Sequence, residues 1–368
     1  MSDLFDITQI NTMTLDNRFV RSATWEGMAD EDGAVTPELI NTVTRLAEGG
    51  VGLIISGHTF VLPEGQAGPR QMGIYKDALV DGLTSMTGAV HRAGGKMVAQ
   101  LAHAGTFAAE NITRTPPHVV SLFEGLAKTP RHELTISDIQ SLASAYVQAA
   151  ERAKAAGFDG VQIHAAHGYL FSQFLSPVYN RRQDAYGGSI ENRSRALCDT
   201  VDAVRQAVGP DFPVLMKLNA WDDVEGGLTL EDAVAAARLL QNAGVDAIEV
   251  SGGFLTSKTL SPSRLGINKP EKEAYFEQGA AAIKQALDIP VILVGGIRSF
   301  EKAQELVAGG VSDYISLSRP LIREPNLINR WRSGDTGPAL CSSDNLCFRP
   351  ALKGEGIYCV TEQRERSE

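Results

Sequence analysis

The sequence predicts an α/β fold, a TIM (β/α)8 barrel. Eight short apolar runs are each followed by a longer stretch, a glycine-turn phrase precedes several of those runs, and no glycine-rich phosphate loop follows the first one. The runs are Phe19–Thr24, Gly52–Gly57, Lys96–Leu101, Gly160–His164, Pro213–Leu218, Ala247–Ser251, Pro290–Val294 and Tyr314–Ser318. They are rich in Val and Ile and continuously apolar, as strands of a parallel sheet buried on both faces must be. Stretches such as Ser137–Ala156, Thr229–Ala243 and Ser299–Ala308 have helical periodicity.

The repeated phrase reads Glu48-Gly49-Gly50-Val51-Gly52, Ala156-Gly157-Phe158-Asp159-Gly160, Ala243-Gly244-Val245-Asp246-Ala247 and Gly309-Gly310-Val311-Ser312-Asp313. A glycine that ends a helix and starts a tight turn is how an αβ loop returns the chain to the sheet. A doubly wound open sheet is the rival, but its phosphate loop would follow the first strand. That run leads into Ser22-Ala23-Thr24-Trp25-Glu26 instead, so the closed barrel is expected.

Of the 368 residues, 43% are hydrophobic, enough for one large core. The expected organisation is a barrel over residues 1–335 and a cysteine-containing tail over 336–368. A formal net charge of −10 argues against nucleic acid, whose binding needs a basic surface. Met1 to Met13 lacks the basic and apolar parts of a signal peptide, and no run approaches the roughly 18 apolar residues of a membrane span. A cytoplasmic protein with no membrane attachment is expected. Four cysteines in so long a chain do not make a disulfide framework, and Cys341, Cys347 and Cys359 cluster near the end.

Polar residues at the C-terminal ends of barrel strands read as functional. Gln100 ends the third run, His164, His167 and Tyr169 follow the fourth, and Lys217 lies within the fifth. The two histidines have no carboxylate or third histidine beside them, so no metal is expected. After the seventh run Gly295-Gly296-Ile297-Arg298-Ser299 opens a helix, and after the eighth comes Ser318-Arg319-Pro320. Glycine lets backbone amides approach an anion and a helix N-terminus adds its dipole. Barrels often build a phosphate site from these two loops. Lys217 and Gln100, buried in strands, need an anion or a polar ring edge. Together they imply a flat, polar, phosphorylated heterocycle across the barrel mouth, and FMN fits that description. Ala23, Thr24, Trp25 and Gly57 complete the expected cofactor side.

The stretch Asn17-Arg18-Phe19-Val20, the segment Gln100-Leu101-Ala102-His103-Ala104-Gly105, and the run from Gly157 through His164, His167, Tyr169, Arg182, Asp184 and Tyr186-Gly187-Gly188-Ser189 to Asn192-Arg193 resemble the Old Yellow Enzyme family of NADH:flavin oxidoreductases. So do Gly295-Gly296-Ile297-Arg298 and Ser318-Arg319-Pro320, and the likeness covers about residues 3 to 335. It implies an FMN-dependent ene-reductase that uses NADH or NADPH on a small substrate with an activated alkene. The residue matching Gln100 would bond the flavin pyrimidine ring, and the backbone at Gly295, Gly296, Ser318 and Arg319 the phosphate. His164 and His167 would hold the substrate carbonyl oxygen, with Trp25 beside them. Hydride would pass from FMN N5 to the β-carbon and a proton from Tyr169 to the α-carbon. Two preorganised donors on a developing enolate are worth roughly 3–4 kcal/mol each, and a phenol of pKa near 10 is still protonated at neutral pH. The Arg182, Asp184 and Tyr186 group reads as a structural brace.

Three departures stand out. Lys217 replaces the family's usual arginine, keeping the charge but losing the planar fork. Trp25 stands where many members carry a small Thr or Cys. The tail resembles the iron–sulfur segment of the larger 2,4-dienoyl-CoA reductase branch, with Asp344 where a cysteine falls. Four-iron clusters want four thiolates, so no cluster is expected. The larger branch continues into further domains; with this chain ending at Glu368, electrons are expected from soluble NADH or NADPH or from a partner protein. Family members often pair through barrel surfaces, which suggests a homo-oligomer.

The alternatives are an FMN-dependent amine dehydrogenase or demethylase, which would not need Tyr169 as a donor, and an electron-relay flavoprotein. A tRNA-modifying FMN barrel is disfavoured by the acidic balance. The pocket walls are expected from the long excursions Phe107–Arg131 and Phe254–Glu273.

Overall fold

The eight apolar runs become eight parallel strands in the computed structural model, which describes residues 3–257 and 261–366. They are β1 (Phe19–Arg21), β2 (Leu53–Ile55), β3 (Met97–Ala102), β4 (Gly160–Ala165), β5 (Val214–Asn219), β6 (Ala247–Ser251), β7 (Val291–Val294) and β8 (Tyr314–Leu317). Each pairs with its sequence neighbour, and β8 pairs back onto β1, which closes the ring into a TIM barrel. β1 stops at Arg21 rather than Thr24: Ser22 N still donates to the Leu317 carbonyl, but the chain then leaves the ladder.

Because side chains alternate along a strand, β5 sends Leu215 into the barrel and Val214, Met216 and Leu218 out against the helices. The lower barrel is filled by Val20, Leu53, Ile55, Val98, Leu215 and Ile292. An antiparallel hairpin of Thr8–Ile10 and Met13–Leu15 closes that end, adding Ile10, Met13 and Leu15 to the same apolar cluster. The next layer up is polar: Gln100, Gln162, Lys217, Glu249 and Ser316 are all buried.

Helices α1 (Pro37–Glu48), α2 (Val80–Arg92), α3 (Ile136–Ala155), α4 (Ile190–Val208), α5 (Leu230–Asn242), α6 (Glu277–Ala286), α7 (Phe300–Ala308) and α8 (Leu327–Arg332) surround the barrel. Their starts are written in sequence. Thr36 caps α1 ahead of Pro37, and Thr135 with Asp138 forms a reciprocal capping box on α3. The repeated glycine phrase acts through conformation: Gly50, Gly157, Gly244 and Gly310 all have positive φ, where other residues are strained.

The excursion after β3 holds a short helix, Glu110–Thr113, and a strand pair, His118–Val119 with His132–Glu133. Residues 258–260 of the second excursion lie outside the described residues. The tail folds back on the barrel: Ala339 N donates to the Arg298 carbonyl and Gly266 N to that of Ser343. Among the described residues no helix is long and apolar enough to cross a membrane.

Candidate active site

A cavity of about 390 Å³ opens at the C-terminal ends of the strands, and its floor is set by strand register. Register places Gln100 opposite Gln162, His164 opposite Lys217, and Lys217 opposite Glu249. The side chains then link in a chain. Gln100 Nε2 donates to Gln162 Oε1 at 2.7 Å, Gln162 Nε2 to Glu249 Oε2 at 3.0 Å, and the hydroxyls of Ser22 and Ser316 to Glu249 Oε1 at 2.7 and 2.8 Å. Lys217 Nζ lies 3.1 Å from Glu249 Oε2 and 2.8 Å from Ser22 Oγ. Burial alone would raise the Glu249 pKa, but Lys217 and the hydrogen bonds outweigh it and hold the carboxyl below its ordinary range. Lys217 therefore has a counter-charge inside the protein, and Glu249 is a site residue that sequence reasoning missed.

The β4 end delivers the reactive set. His164 and His167 lie with ring centroids 5.3 Å apart, and His164 and Tyr169 4.9 Å apart. Their placement depends on backbone: His167 has φ 62°, an uncommon value for a non-glycine residue, stabilised by its own N–H donating to Asn219 Oδ1. Ala166 N donates to His164 Nδ1, which leaves the Nε2 proton of the neutral ring for the cavity. His167 Nε2 contacts Ser251 Oγ at 2.7 Å. Burial, then the cationic Lys217 and neighbouring imidazoles, holds both histidines well below their ordinary pKa, so both are neutral donors at pH 7. Burial raises the Tyr169 pKa, so the phenol keeps its proton. His58, after β2, completes the group with Nε2 3.4 Å from the Tyr169 hydroxyl.

The opposite side of the cavity is formed by β7, β8 and the tail. Gly296, Ser318 and Arg319 line it, and Thr24 Oγ1 lies 2.8 Å from Ser318 Oγ. Just before α7, Glu273 accepts from Arg298 N at 2.8 Å and Ser299 N at 3.0 Å, so these two amides are bonded by a carboxylate of the chain itself. Arg319 Nη1 donates to the Arg264 carbonyl and to Asn345 Oδ1, both at 2.7 Å. Asn345 and Phe348 bring the tail to the cavity wall.

Of the residues expected from sequence, Ala23, Thr24, Trp25, Gln100, His164, His167, Tyr169, Lys217, Gly296, Ser318 and Arg319 line this one cavity. Gly57 sits behind the wall against Glu26 and Thr24, and Gly295 packs on Phe276 and Tyr275. Leu255, Pro262 and Ser263 of the second excursion form part of the wall. The first excursion does not reach it: Phe107 instead backs Gly168 and Tyr179 from outside. Arg182 forks onto Asp184 and donates to the Val120 and Leu134 carbonyls, bracing the loop after β4. In the tail, Asp344 accepts from the hydroxyls of Ser342 and Thr361 and from Leu346 N, while Cys359 Sγ accepts from Glu362 N.

This donor set fits a flavin mononucleotide. A carboxamide and an ammonium group on the floor suit the polar edge of a flat ring, and backbone at Gly296, Ser318 and Arg319 suits its phosphate. The chain matches the NADH:flavin oxidoreductase / NADH oxidase family over residues 3–336. It is 38% identical over 345 residues to an NADH oxidase of Thermoanaerobacter brockii, covering 90% of this chain and 51% of that protein. This chain therefore spans about half that relative's length. It is 38% identical over 324 residues to an NADPH dehydrogenase of Bacillus licheniformis, covering 88% of this chain and 91% of that protein. The solved old yellow enzyme homologue from Zymomonas mobilis superposes with a TM-score of 0.78 at 29% identity, covering 93% of this chain and 96% of that one. The chain belongs to the NADH:flavin oxidoreductase / NADH oxidase family, the FMN-dependent barrels of the Old Yellow Enzyme type.

Proposed function

We propose that the protein reduces activated C=C bonds of small α,β-unsaturated carbonyl compounds with electrons from NADH or NADPH. The observation that carries this reading is the convergence of two neutral imidazoles and a protonated phenol on one cavity above a polar floor. The relatives named for NADH and NADPH chemistry support the electron donor. When bound and reduced, FMN supplies the hydride.

Everything else falls to side chains of the protein. His164 Nε2 and His167 hold the carbonyl oxygen, and their donors strengthen as negative charge gathers there. Neutral imidazole suits this role, because a protonated ring would be costly in this buried site beside Lys217. Tyr169 gives its proton to the α-carbon, and burial, which raises its pKa, keeps that proton in place until the acceptor develops. Trp25 and Leu255 add hydrophobic surface to the cavity wall.

The test is steady-state turnover of 2-cyclohexenone by the FMN-loaded protein with NADH and with NADPH under anaerobic conditions. Conversion to cyclohexanone at a rate that falls strongly in His164→Ala is expected. Oxidation of a secondary or tertiary amine with an artificial acceptor, with no enone reduction, would overturn the proposal in favour of an amine dehydrogenase.

A further inference from the structure

We propose that a second cleft, between α1, the segment after β8 and the C-terminal tail, binds a small organic oxyanion, a carboxylate or phosphate monoester, through Arg21 and Arg45.

The first observation concerns Arg21. It is the last residue of β1, and the alternation that turns Val20 into the barrel turns Arg21 outward beneath α1, a position that elsewhere in the barrel is apolar. Its side chain is 2% exposed. Its Nη1 donates to the Ser318 carbonyl, while its buried Nε has no hydrogen-bond partner among the described residues. A buried guanidinium is costly unless an anion and acceptors meet it. No carboxylate of the described residues lies within ion-pair distance of it. Glu26 is close enough to feel its charge but not to bond it, and the Cys347 thiol, which burial pushes up to about 12, stays neutral.

The second observation is the space next to it. A cavity of about 300 Å³ touches Arg21, with Arg45 of α1 on its rim and Arg366 of the tail across from it. Arg366 is committed to Glu362, the one acid on the lining. Arg45 makes no ion pair among the described residues, and Arg21 has near it only Glu26, which does not bond it. Leu46, Leu321 and Ile322 form an apolar wall. Two cations with no bonded carboxylate at a partly apolar cleft recognise an anion that carries a hydrocarbon or ring rather than a bare ion. The cleft is distinct from the active-site cavity, although the Ser318 carbonyl held by Arg21 belongs to the segment that lines that cavity.

The experiment titrates the FMN-loaded protein, whose flavin-phosphate site is already filled, with phenyl phosphate and separately with benzoate, by calorimetry. The visible flavin spectrum is followed in parallel. Saturable binding of at least one probe without a change in the flavin band is expected, and which probe binds tells phosphate from carboxylate. Affinity should fall roughly tenfold or more in Arg45→Gln, a variant on the exposed helix surface that does not disturb the core. Arg21→Gln should abolish binding. No saturable binding of either probe, equal affinity in Arg45→Gln, or binding that shifts the flavin band would overturn the proposal.

Discussion

His58 Nε2 stands 3.4 Å from the Tyr169 hydroxyl, with the two rings edge-on at 84°, while Gln71 Nε2 lies 2.6 Å from His58 Nδ1 and also donates to the His58 carbonyl. An amide N–H on Nδ1 fixes the tautomer, so the Nε2 proton faces the phenol. Burial lowers the His58 pKa to about 4, so the ring is neutral at pH 7 and acts as a donor. That donor is placed to stabilise the oxygen Tyr169 would leave behind after giving up its proton. His58→Ala should slow the proton-dependent step by roughly tenfold, the value of one hydrogen bond to a charged oxygen. Single-turnover reoxidation with an enone measures it, and an unchanged rate would remove His58 from the reaction.

Two buried groups should tilt stability in opposite directions with pH. His58 has its folded pKa depressed from 6.5 to about 4, so its contribution is present above 6.5 and is lost as pH falls through that window. Glu26 has its folded pKa raised from 4.5 to about 7 by burial, so its contribution is present below 4.5 and is lost as pH rises through 7. Each accounts for a slope of at most about 1.4 kcal/mol per pH unit. The two slopes offset between about pH 4.5 and 6.5, so denaturant midpoints there should fall with rising pH in His58→Asn, where Glu26 alone titrates, and rise with pH in Glu26→Gln, where His58 alone does.

The Lys217 and Glu249 pair is buried at both ends. Removing only the cation, in Lys217→Met, leaves a carboxylate without its counter-charge and should cost about 3–5 kcal/mol of stability. The double variant Lys217→Met/Glu249→Leu should recover most of that loss, because an apolar pair of similar volume replaces an ion pair at little net cost. Chemical denaturation of the three proteins gives the coupling energy directly.

Asn345 links the tail to the cavity wall: its Oδ1 accepts from Arg319 and from Ser263 Oγ, and its Nδ2 donates to the Ser263 carbonyl. Loss of these bonds in Asn345→Ala should free Arg319 and loosen FMN, raising the dissociation constant roughly tenfold. Fluorescence titration of the apoprotein with FMN reads this.

The barrel was legible because its signals are local: apolar runs at strand length, and glycines where φ must be positive. His164, His167, Tyr169, Gln100 and Lys217 were legible for a related reason, since each sits at or near a strand end whose role the fold dictates. What escaped depended on long-range contact. Glu249 is one charge within Ala247–Ser251, and its partners Lys217, Ser22 and Gln162 come from three other parts of the barrel. Glu273 reaches the α7 start across 26 residues and Asn345 meets Ser263 across 82, distances over which periodicity carries no information. His58 lies in a loop, where its ring has meaning only through its contact with Tyr169.

Proton transfer from Tyr169 to an enone is best examined in one anaerobic turnover in D2O: the bound flavin is reduced with dithionite, 2-cyclohexenone is added, and the visible flavin band and the product are both followed. Rapid reoxidation and cyclohexanone carrying solvent deuterium at the α-carbon are expected, with reoxidation in Tyr169→Phe slowed by about a hundredfold or more, the scale of general acid catalysis. A reduced flavin that ignores the enone, or a Tyr169→Phe variant that turns over at the wild-type rate, would contradict the proposed chemistry.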